Sequence, residues 1–91
     1  MVGIYKFEYQ PCDNIFLSGI FTATEKEIER LYKEGVYLGE YLGKHSRVYF
    51  EPGELEGYLH LVTTSQNAVI IFNSENMHTG FDLNLYLKDE D

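Results

Sequence analysis

The chain is short of most residue types on which a chemistry is built. One cysteine, Cys12, in 91 residues excludes an internal disulfide. The N-terminus has no basic segment followed by a long apolar run, and there is no Asn-x-Ser/Thr acceptor. No apolar stretch approaches the roughly 20 residues of a membrane span, the longest being AVIIF at 68–72. These absences together predict a cytoplasmic protein. Bases are also scarce, seven against fifteen acids for a net charge of −8. Lys6, Lys26, Arg30, Lys33, Lys44, Arg47 and Lys88 are scattered, so a phosphate backbone or an anionic membrane meets repulsion everywhere. Neither is expected as a partner, whereas a protein with a basic surface suits the field. Solubility alone explains the same charge.

Catalytic signatures are missing as well. There is no nucleophile elbow, and Cys12 beside Asp13 is a poor thiolate, because a neighbouring negative charge raises its pKa. His45, His60, His78 and Cys12 are enough ligands for zinc in number, but none stands at the short spacing of structural sites. The segment YLGEYLGKHS at 37–46 has the glycines and lysine of a phosphate loop. It nevertheless fails as one: Gly39 to Gly43 is one residue too short, His45 separates Lys44 from Ser46, and the following RVYFE has the composition of a strand rather than a helix. No catalytic residue, metal or cofactor is expected.

What is abundant is apolar and aromatic: 44% of residues are apolar and 15% aromatic, with eight tyrosines, enough for the chain to fold despite its charge. A chain of 91 residues makes one domain, 1–91, with an acidic tail at 88–91 expected to fray. In residues 2–9, Tyr5, Phe7 and Tyr9 alternate with Ile4, Lys6 and Glu8, the period of a strand with one buried face. With QPCDN as a turn, residues 2–22 read as a hairpin. Thr24 and Glu27 form a capping box for a helix over about 25–34, its apolar stripe Ile28, Leu31 and Tyr32, its stop Gly35. Continuing that helix through Gly35, Gly39 and Gly43 costs about 1 kcal/mol per glycine, so a strand at 36–42 is preferred. A turn at 43–46 returns it as RVYFE. Then follow a Glu51–Pro52–Gly53–Glu54 turn of type II character, a strand LEGYLHLVTT, an SQN turn, a central strand NAVIIF, a long loop and a final strand FDLNLYL with Phe81, Leu83, Leu85 and Leu87 facing the core.

The fold class predicted is α+β, an antiparallel sheet of five to seven strands with one helix packed on one face. The function expected is that of a small acidic protein-binding module, including an inhibitor or antagonist, that holds a basic partner through an exposed sheet face or edge. Its contact residues are Tyr41, Tyr49 and Tyr58, rimmed by Glu51, Glu54 and Glu56. The alternatives are a structural homo-oligomer pairing through an exposed strand edge, and a ligand-binding protein or hydrolase using His45 and His78. Most of the tyrosines are assigned to packing, and His60 to a cross-strand surface position.

Overall fold

A computed structural model of the chain describes residues 1–12, 15–39 and 48–86. The period-2 pattern at the N-terminus builds the expected hairpin. Strand β1, Val2–Cys12, pairs antiparallel with β2, Ile15–Thr24, in a register running from Val2 opposite Thr24 to Tyr9 opposite Leu17. Tyr5 and Phe7 point with Phe21 and Ala23 into a buried layer, while Lys6 and Glu8 stay half-exposed on the other face. The strands run further than QPCDN allowed, through Pro11 and Cys12. Pro11 stands where the register shifts between Tyr9 and Cys12, an irregularity that tolerates a residue without a donor. Asp13 and Asn14 lie outside the described residues.

Helix α1, Glu25–Glu34, forms as its caps dictate. Thr24 Oγ1 accepts from the Glu27 N–H at 3.1 Å, and the Thr24 N–H donates to Glu27 Oε1 at 2.8 Å. The helix ends at Gly35, φ 76°, whose N–H donates to the Leu31 carbonyl at 3.0 Å. Ile28 and Leu31 are buried and Tyr32 is half-buried. On the outer face, Arg30 Nε meets Glu34 Oε2 at 2.8 Å.

The chain then re-enters as a small second sheet. Strand β3, Val36–Gly39, pairs antiparallel with β4, Val48–Phe50, placing Val36 opposite Phe50 and Tyr37 opposite Tyr49. The stop at Gly35 and an antiparallel return after it are therefore present, while residues 40–47, which include Tyr41 of the expected strand and the expected turn at 43–46 with His45, lie outside the described residues. The Glu51–Glu54 turn is closed by Glu54 N–H to Glu51 carbonyl at 2.9 Å, with Gly53 at φ 90° as a type II turn requires.

Three later assignments are corrected. The strand expected from Leu55 begins as a 3-10 turn, Leu55–Gly57, which drives Leu55 into the core, and only Leu59–Thr63, β5, pairs with β1. The apolar run AVIIF is not a central strand but part of helix α2, Gln66–Ser74, capped by Ser65, whose Oγ accepts from the Ala68 N–H at 3.4 Å. Val69 and Phe72, one helical turn apart, bury against Ile4, while Ile70 is 63% exposed. A run that is apolar on every side fits either element by composition; the cap and the apolar face of β1 decide for the helix. Finally, residues 81–86 are not a strand. Among the described residues of this segment only Thr79–Gly80, β6, pairs, with β2, and Leu83–Tyr86 coil into a 3-10 turn. Asp82 nucleates that turn: its Oδ1 accepts from the Asn84 N–H at 3.0 Å and its carbonyl from the Leu85 N–H at 3.1 Å. Phe81 and Leu83 do pack inward, Leu85 is 80% exposed, and Leu87 lies outside the described residues.

The described residues thus form a four-stranded antiparallel sheet in the order β5-β1-β2-β6, a two-stranded sheet β3-β4 and two helices, rather than one sheet of five to seven strands with one helix. Phe7, Phe21, Leu31, Leu55 and Leu83 fill the main core between the large sheet, α1 and β3-β4. Helix α2 covers the opposite face at the Ile4 end. Among the described residues, no helix is long and apolar enough to cross a membrane.

Candidate binding site

Alternation along β3 and β4 sorts their side chains into two sets. Val36, Leu38 and Phe50 go into the core, so Tyr37 and Tyr49, paired across the strands, point away from it and remain 55% and 54% exposed. They line a cleft of about 500 Å³ whose other walls are Glu34 and Gly35 at the end of α1, Val36, Phe50 and Glu51 from the small sheet, and Tyr86 from the final 3-10 turn. Gly35 makes the cleft possible twice over. Its positive φ turns the chain out of α1, and a Cβ there would overlap the Phe50 carbonyl oxygen. The far side is braced by the Gly53 N–H, which donates to the Tyr32 carbonyl at 2.8 Å and ties the turn to the helix.

The electrostatics of the cleft are negative. Glu34 and Glu51 stand on its walls, and the C-terminal end of α1 adds the partial negative charge of its carbonyls. Arg30 offsets part of the Glu34 charge, and Lys33, on the same helical turn, is not among the lining residues. Glu54 and Glu56 are exposed on the adjoining turn.

The structure divides the contact residues named from sequence. Tyr49 and Glu51 belong to the cleft, and Glu54 and Glu56 flank it along the chain. Tyr58 does not join them. Its ring packs edge-on against Tyr9 at 4.9 Å and, tilted by 50°, against Phe50 at 5.5 Å, on the core side of β4, leaving it 38% exposed. Tyr41 lies outside the described residues. Sequence reasoning missed Tyr37, Glu34 and Tyr86. Tyr37 was hidden by register: a turn at 43–46 sets Glu40 across from Tyr49, whereas the observed pairing sets Tyr37 there.

The histidines go elsewhere. His60 pairs with Lys6 on the exposed edge strand, as expected of a surface residue. His78 packs edge-on against Phe72 at 4.6 Å, its Nε2 3.4 Å from Thr22 Oγ1, which also donates to Asn73 Oδ1 at 3.3 Å. That cluster involves α2 and the outer face of β2, and none of its members lines the Tyr37–Tyr49 cleft. His45 lies outside the described residues. Among the described residues, no group of three His, Cys, Asp or Glu side chains is placed to hold a metal ion.

The pKa of Tyr5 is raised by burial and then Glu25, and that of Tyr32 by burial, then Glu56, then Tyr5. The unfolded chain ionises its tyrosines near pH 10, earlier than the folded one does at these positions, so the folded state binds more protons there. The stability they contribute is complete below about pH 10 and falls as pH rises beyond it. Urea denaturation at stepped alkaline pH should show this loss, and Tyr32→Phe should make it shallower. A variant losing stability as steeply as the parent would exclude Tyr32 as a source.

With this geometry in hand, no protein-family model matches the chain, and comparison with curated proteins and with solved structures likewise returns no match. The chain combines an α+β fold with an acidic, tyrosine-walled cleft.

Proposed function

We propose that this chain is a small acidic protein-binding module, an inhibitor or antagonist of a basic partner, working from the face that carries the cleft and the Glu51–Glu56 turn. The observation that carries the reading is the Tyr37–Tyr49 pair: two large aromatic side chains more than half exposed beside a run of acidic residues. Tyrosine suits such a face because it offers a rigid apolar body with a polar end, and carboxylates around it select basic partners and speed their encounter.

Capture from the native host at ionic strengths of about 0.1 M and about 1 M tests this, since screening lengths fall from about 10 Å to about 3 Å between them. A basic protein should be retained at the lower salt and lost at the higher, and lost at both by the Glu51→Gln, Glu54→Gln, Glu56→Gln triple variant. A partner indifferent to salt and to the variant would reduce the −8 charge to a solubility feature.

Self-association is the second reading. Strand β5 is an edge of the large sheet and carries Leu61 and Val62, both exposed, and α2 presents Ile70 and Ile71 outward. Light scattering separates the two: a stable dimer at micromolar concentration that Val62→Lys dissolves favours this reading.

A further inference from the structure

We propose that the cleft between the end of α1 and the β3-β4 sheet is the seat of one arginine side chain of the partner. This rests on the reading of the chain as a binder of basic proteins and says where, and by what chemistry, the key contact is made. The cleft, about 500 Å³ and open on one side, has room to admit a side chain. Its walls combine two things a guanidinium takes together. Tyr37, Tyr49 and Tyr86 offer aromatic surface against which a planar cation stacks. Glu51 offers a carboxylate that accepts two parallel N–H bonds from the same fork, and the α1 terminus beside Glu34 adds negative potential. A phosphate or carboxylate ligand meets repulsion at the same walls. An ammonium finds the charge but loses the stacking and the two-pronged bond, so arginine is favoured over lysine.

The test uses the full chain and two probes that differ by one charge, N-acetyl-arginine amide and its neutral isostere N-acetyl-citrulline amide, titrated at matched ionic strength and followed by amide NMR shifts. Expected is saturable binding of the arginine probe, with shifts concentrated at Gly35–Tyr37, Tyr49–Glu51 and Tyr86. The citrulline probe should bind roughly fivefold or more weakly. Tyr49→Leu should weaken the arginine probe by a similar factor and Tyr49→Phe, which keeps the ring, should restore it, whereas Glu75→Gln, an exposed acid at the end of α2 that does not line the cleft, should leave it unchanged. Equal response to both probes, shifts scattered over acidic side chains, or no binding would overturn the cleft as an arginine seat. Those outcomes are separable from failure of the broader reading, which is judged by whether partner capture depends on salt and on the acidic turn.

Discussion

Gly19→Ala is expected to detach the final described segment, residues 79–86, from the sheet. A Cβ at Gly19 would overlap the backbone of Phe81, and one at Gly80, φ 66°, would overlap the Ser18 carbonyl oxygen. Backbone meets backbone here, so no flexible side chain can move aside. The β2-β6 pairing is only two residues long, and with the Phe81 N–H to Ser18 carbonyl bond at 3.1 Å it anchors the segment that delivers Leu83 to the core. Releasing it exposes Leu83 fully and Phe81 in part, at about 1.5–3 kcal/mol per fully buried side chain of this size, so a loss of up to about 5 kcal/mol is expected. Tyr86 leaves the cleft with it. Denaturant unfolding together with limited proteolysis around residues 79–86 checks this: lowered stability and new cleavage there are expected, and parent-like behaviour in both would refute the close approach.

Phe7→Ala is expected to be comparably severe for a different reason. Phe7 is fully buried and packs edge-on against Phe50 at 5.7 Å and Phe81 at 6.3 Å, so it joins the large sheet to both the small sheet and the final segment. Truncating such a residue costs about 3–5 kcal/mol through lost burial and the cavity left behind, a large part of the roughly 5–14 kcal/mol available to a domain of this length. Ile70→Ala, on the outward side of α2, should change stability by less than about 0.5 kcal/mol. Were residues 68–72 a central strand, the Ile70 substitution would be nearly as damaging as the Phe7 one. Thermal denaturation of both variants therefore tests the core and the correction at α2 together.

The first half of this molecule was readable because its signals are local. The alternation from Ile4 to Tyr9, the Thr24–Glu27 box and the stop at Gly35 each specify their own backbone, and all three appear as read. The second half depends on where the chain has already gone. Residues 68–72 are β-branched and aromatic, as strands are, yet β1 presents Ile4 on the face that Val69 and Phe72 cover, and Ser65 caps the amides of a helix. Phe81 to Leu87 alternate as a strand would, but Asp82 bonds the Asn84 N–H and begins a turn. The candidate site followed the same division. Tyr49 and Glu51, named from composition near a turn, line the cleft; Tyr58, named with them, packs instead on Tyr9 and Phe50 through tertiary contacts; and Tyr86 is brought to the cleft by the 3-10 turn that the strand reading hid.

The central claim, that the acidic tyrosine face is the working surface, is tested most directly by amide hydrogen exchange of the chain alone and with its captured basic partner bound. Expected is slower exchange on binding at Gly35–Tyr37, Tyr49–Glu54 and around Tyr86, with the amides of α2 unchanged. Protection confined to β5 and α2, with the cleft exchanging as freely as in the unbound chain, would contradict it.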